Sequence, residues 1–99
     1  MSGYTKIITE DRRLTVLRTL EQDPDYSVND FVLKRALEAM GHGVSRDVLR
    51  GDLVWLRDQG LLRIREMDDG AIWVATASED GVDVARGRPH PGVARPAPR

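Results

Sequence analysis

The chain has 99 residues, 40% of them hydrophobic and 31% charged, with no cysteine and a formal net charge of −1. That length fits one domain with one modest core, and the missing cysteines exclude disulfides, thiolate metal ligands and a cysteine nucleophile. The charge is uneven: residues 1–85 hold eleven Lys/Arg against sixteen Asp/Glu, a balance of −5, while residues 86–99 hold four arginines and no acid.

No stretch approaches the roughly 18 consecutive apolar residues of a membrane span. The N-terminal MSGYTKIITEDRR is charged where a signal peptide needs its apolar segment. A cytoplasmic protein with no membrane partner is therefore expected. A generic polyanion binder is disfavoured, because nonspecific DNA affinity comes mainly from neutralised phosphates and the body is acidic.

The first predicted element is a helix from about Thr5 to Gln22, with Leu14, Leu17 and Leu20 at three-residue steps, ended by Asp23-Pro24-Asp25. Ser27, with Asp30 three residues on, reads as the cap of a second helix that carries Val28, Phe31, Val32, Leu33, Ala36, Leu37 and Met40. Gly41-His42-Gly43 breaks that helix. A third begins at the cap Ser45, with Val44 placed to staple onto Leu49, and Val48, Leu49, Trp55 and Leu56 turned inward before Gly60 closes it.

Leu62 and Ile64 then alternate with Arg63 and Arg65, the pattern of a half-buried strand. Met67-Asp68-Asp69-Gly70 supplies a hairpin turn and residues 71–76 a return strand. Ser78 caps a short last helix that ends near Gly87. Residues 1–86 thus form one domain, and the proline- and arginine-rich residues 87–99 are expected to be a disordered tail. The fold class is mainly α with a two-stranded β-hairpin, in the winged helix-turn-helix order α-α-α-β-β-α.

Residues 44–76 resemble winged-helix regulators of the ArsR type, through Val44-Ser45-Arg46, the run Leu53 to Leu62 and the hairpin after it. Nearly the whole ordered chain is similar to small winged-helix proteins of Mu-like phages and prophages. The stretches that carry this likeness are Glu10-Asp11-Arg12-Arg13-Leu14, residues 41–47 and residues 81–87. The resemblance implies the fold more strongly than a function. The cysteine and histidine ligands of ArsR-type metal sensors have no counterparts, so metal sensing does not carry over, and no metal or other cofactor is expected.

On a helical wheel, Arg46, Arg50 and Arg57 fall within roughly 40° of one another. In a winged helix this third helix enters the major groove, so Arg46 and Arg50, beside the cap Ser45, are the candidate base readers. Arg57, Arg63 and Arg65 are the candidate phosphate contacts. The predicted function is double-stranded DNA binding by a phage or prophage transcription regulator, with a homodimer suited to presenting two such helices. The alternative is a protein–protein interaction module without DNA binding, docking a host or phage protein. It is motivated by the acidic body; Asp47 and Asp58 beside the stripe, and Asp68 and Asp69 at the wing tip, would repel phosphates.

The basic tail admits two readings, a phosphate-tracking arm or a solubilising terminus. Trp55 and Trp73 are read as core anchors. Asp52 projects toward the apolar side of the third helix, where an unpaired charge is costly, so a basic partner, Arg12 or Arg13, is predicted for it. His42 and His90 lie far apart, and no hydroxyl has an evident histidine base with an orienting acid. The chain is not expected to be an enzyme.

Overall fold

The structure, a computed structural model, describes residues 2–96. In chain order its elements are α1 (Gly3–Gln22), β1 (Ser27–Asn29), α2 (Asp30–Ala39), α3 (Arg46–Asp58), β2 (Leu62–Met67), β3 (Ile72–Ala77) and α4 (Glu79–Ala85). The strands form one antiparallel sheet in the order β1-β3-β2. Four helices and three strands make this an α+β fold, which corrects the expectation of a mainly α fold with a two-stranded hairpin.

The third strand arises where a helix cap was expected. Ser27, Val28 and Asn29 pair with Thr76, Ala75 and Val74, and the Ser27 hydroxyl hydrogen-bonds to that of Thr76. The cap of α2 passes to Asn29, whose Oδ1 accepts from the Val32 amide at 2.9 Å. The other caps lie where the sequence put them. Ser45 Oγ accepts from the Val48 amide and Ser78 Oγ from that of Gly81, while Gly60 ends α3 with φ +76°.

Leu14, Val16, Leu17 and Leu20 of α1, Leu33 and Leu37 of α2, and Leu49, Leu53 and Leu56 of α3 form the core with Leu61, Leu62, Ala75 and the apolar side of α4. Gly81 is required because α4 crosses Leu61 so closely that an added Cβ would collide with its carbonyl group. Val44, the residue before the cap, is partly buried against the core.

The expected disorder of residues 87–99 needs correction over its described part. Residues 88–96 form a strap across α1 and α3. Val93 is buried, and its neighbour Ala94 donates its N–H to the carbonyl of Glu10 at 3.1 Å. The Arg13 guanidinium lies 3.9 Å from the Trp55 ring centre and donates to the carbonyl of Gly92 at 3.1 Å, while His90 meets the same indole edge-on at 6.1 Å. Proline-rich composition revealed none of this, because the strap is held by side chains of other elements. Residues 97–99, with Arg99, lie outside the described residues. Trp55→Ala is expected to cost about 1–3 kcal/mol, from the cation–π contact and packing lost together. Hydrogen exchange at the Ala94 amide should accelerate more than exchange in the core of α1.

Candidate functional site

The arginines singled out in the sequence sit on α3 and β2, but the structure does not present them as one solvent-facing stripe. Arg46 and Arg50 are one helical turn apart on α3, and both turn onto Asp30, the first residue of α2, whose side chain is completely buried. Nε of Arg46 donates to Asp30 Oδ2 at 3.0 Å and Nε of Arg50 to the same oxygen at 2.8 Å. The Trp73 amide donates to Oδ1 at 3.2 Å. Both guanidiniums also donate to the carbonyl of Ala71 at the end of the hairpin turn, Arg50 at 3.1 Å. One buried carboxylate thereby ties α2, α3 and β3 together.

Aromatic faces complete the arrangement. The Arg46 guanidinium carbon lies 4.4 Å from the Phe31 ring centre, and that of Arg50 lies 4.4 Å from the Trp73 ring centre. Trp73 is therefore a half-buried platform as well as a neighbour of the core. The two charged forks sit over rings, with two donors each committed to the protein. Base recognition needs the fork directed outward to guanine O6 and N7. Reading by Arg46 and Arg50 is thus not prepared in this structure.

The remaining candidates are exposed and separate. Arg57, near the far end of α3, pairs loosely with its neighbour Asp58 at 3.4 Å. Arg63 and Arg65 extend from the sheet face that points away from the core, with no ion pair among the described residues. Ser45 is occupied as a helix cap. Together α3 and the β2–β3 hairpin carry five arginines and six acids, before buried Asp30 is counted. The surface is close to neutral.

What this face does present is apolar. Phe31 and Val32 are each 49% exposed. Phe31, Arg46, Ala71, Arg50 and Trp73 are linked by the contacts above, whereas the register pair Met67–Ile72 stands on the other side of the sheet, with Arg65. The result is a surface of aromatic, aliphatic and guanidinium groups.

Burial acts to raise the pKa of Asp30, but the bonds from Arg50, the Trp73 amide and Arg46 outweigh it and hold the carboxyl below its ordinary 3.8. A depressed folded-state pKa contributes stability that is present above the unfolded value and lost as pH falls through the folded one. The stability gap between the natural protein and Asp30→Asn should therefore be flat near neutrality and shrink below about pH 4. Denaturant melts across that range measure it.

Two further polar constellations are structural. Asp52 is buried as expected, and both proposed partners reach it: Arg12 donates to Oδ1 at 3.2 Å and also to Oδ2, and Arg13 Nε lies 3.6 Å from Oδ1. His42, read from the sequence only as a turn residue, is buried and hydrogen-bonds through Nε2 to Asp11 at 2.7 Å. Among the described residues no cluster of three or more His, Cys, Asp or Glu could hold a metal ion, and no helix is long and apolar enough to cross a membrane.

No family model matches the chain. It is 45% identical over 94 residues to the uncharacterised protein gp26 of Escherichia phage Mu, covering 94% of this chain and 95% of that protein. Over 68 residues it is 42% identical to an uncharacterised protein of Haemophilus influenzae, covering 69% of this chain and 66% of that protein. With that identity sustained across nearly the full length of both chains, the protein belongs to the family of phage Mu gp26.

Proposed function

We propose that the protein is a winged-helix module whose α2–α3–hairpin face docks a protein partner. The winged-helix reading is supported by the order α1-β1-α2-α3-β2-β3, with α2 and α3 joined by a short turn and the hairpin following directly. ArsR-type relatedness rests on residues 44–76 alone and adds no ligand site. Protein docking, the alternative expected from the acidic body, is carried by one observation: Asp30 engages both guanidiniums that DNA reading would need, offsetting one of their two charges, and holds that of Arg46 over exposed Phe31. Aromatic residues and arginine are among the side chains enriched at protein interfaces. A host or phage protein is the partner class.

Phe31→Ser and Val32→Ser, both at exposed positions, provide the test. Each should leave the melting temperature within a few degrees while weakening capture of a stoichiometric partner from nuclease-treated infected cells by at least about tenfold. Capture that disappears on nuclease treatment, or that is indifferent to both substitutions, would refute the docking reading.

Duplex DNA binding by a phage or prophage regulator is retained as a second reading because Arg57, Arg63 and Arg65 are exposed on the helix and hairpin that a winged helix applies to DNA. In that form the contacts are to phosphates and the binding is weak and salt-sensitive. A homodimer would supply the second half-site. No catalytic role and no cofactor is proposed.

A further inference from the structure

The outward face of the sheet carries a second feature, which shares none of the side chains of the docking face and does not depend on that reading. Register places Ser27, Thr76 and Arg63 in one row across the three strands, with Arg65 one row along β2. Arg63 and Arg65 stand two residues apart on one strand, so they share a face, with Cα atoms about 6.6 Å apart. Ser27, Arg63, Ile64, Arg65 and Thr76 line an open depression of about 300 Å³. No carboxylate lines it.

The placement of these arginines on one strand face sets them apart. Arg12, Arg13, Arg46, Arg50, Arg57, Arg86 and Arg88 each have a carboxylate within ion-pair distance. Arg63 and Arg65 have none among the described residues, and neither do Arg18, Arg35 and Arg95, but Arg63 and Arg65 share one face of one strand; the one side-chain hydrogen bond of this pair is Arg65 to Met67 Sδ at 3.9 Å. Two unpaired guanidiniums are therefore adjacent in an otherwise acidic body. Beside them the Ser27 and Thr76 hydroxyls are hydrogen-bonded to each other, which leaves one of the two O–H groups free to donate to a ligand.

We infer that this depression binds a single tetrahedral oxyanion, a phosphoryl or sulfuryl group. Planar guanidinium forks match such an oxyanion in shape and charge, and the free hydroxyl proton supplies a further bond. A lone anionic group suits the site better than a continuous polyanionic strand, because Glu66, Asp68 and Asp69 follow on the same hairpin and would repel flanking phosphates. The group could be free or carried on a small molecule.

The experiment is an amide chemical-shift titration of the full chain with sodium phosphate, at ionic strength held constant with sodium chloride. Saturable shifts centred on Ser27, Arg63, Arg65 and Thr76 are expected. Arg63→Gln and Arg65→Gln, at exposed positions, should each weaken the binding by about tenfold, and the double variant should abolish it with the spectrum otherwise preserved. Arg→Lys at both positions keeps the charge but should bind more weakly than the natural chain, since the forks are lost. Parallel titrations with a nucleoside 5′-monophosphate and a short duplex separate the sources. Shifts at this site with phosphate or the monophosphate support the inference. Linear, non-saturating shifts, saturation centred on Arg46 and Arg50, indifference to the double variant, or a response at this site to the duplex alone would overturn it.

Discussion

Asp52→Ala is expected to lower folding stability by about 3–5 kcal/mol, because removing one member of a buried ion cluster leaves the others desolvated without compensation. Arg12 and Arg13 side chains are 11% and 18% exposed and cannot rehydrate without leaving the α1–α3 interface. Arg13 also clamps Trp55 and Gly92, so the loss should spread to the strap. In urea the midpoint should fall at nearly unchanged slope, the mark of altered stability rather than altered compactness. Arg57→Ala, at an exposed loose pair, serves as the comparison and should move stability by no more than about 0.5 kcal/mol.

Asp30→Ala should cost somewhat less, about 2–4 kcal/mol. The difference lies in the partners left behind. Arg46 and Arg50 are 34% and 20% exposed and can swing into water, whereas the Trp73 amide loses its acceptor inside the fold. Asp30→Asn preserves shape and one acceptor and should be milder than alanine. Since Asp30 joins α2, α3 and β3, loss of the carboxylate should also loosen the turn at Ala71, visible as faster amide exchange in residues 68–72. A variant that kept full stability while leaving both arginines in place would mean that the carboxylate does not organise this face.

Much of the fold is legible in the residues. The leucine spacing of α1, the serine caps of α3 and α4, the arginine–aliphatic alternation of β2 and the glycine after α3 are local signals, and local physics decides them. Asp52 was legible for a related reason: a carboxylate on the apolar side of a helix demands a partner, and only a few arginines stood within reach. Strand β1 was not legible, because Ser27-Val28-Asn29 satisfies a helix-cap pattern as well as a short strand. Its pairing with β3 spans 49 residues at Ser27–Thr76.

The candidate site shows the same division. That Arg46 and Arg50 share a helix face follows from their four-residue spacing; that this face meets Asp30, 16 and 20 residues away, follows only from how α2 packs on α3. The wheel therefore identified the right side chains and the wrong surroundings. An arginine stripe has one chemistry in solvent and another above a buried acid, and composition cannot tell them apart. The strap failed for an analogous reason, since its anchors are Trp55 and Arg13 rather than residues of its own.

Duplex selection from a randomised pool at low ionic strength, followed by a salt titration of the natural chain and of Asp30→Asn, bears most directly on whether Asp30 withholds Arg46 and Arg50 from DNA. If it does, the natural chain enriches no sequence and binds duplexes weakly, and Asp30→Asn gains a few-fold in nonspecific, salt-sensitive affinity as one negative charge is lost and two guanidiniums are released. Enrichment of a defined sequence by the natural chain, lost on Arg46→Ala or Arg50→Ala, would contradict it.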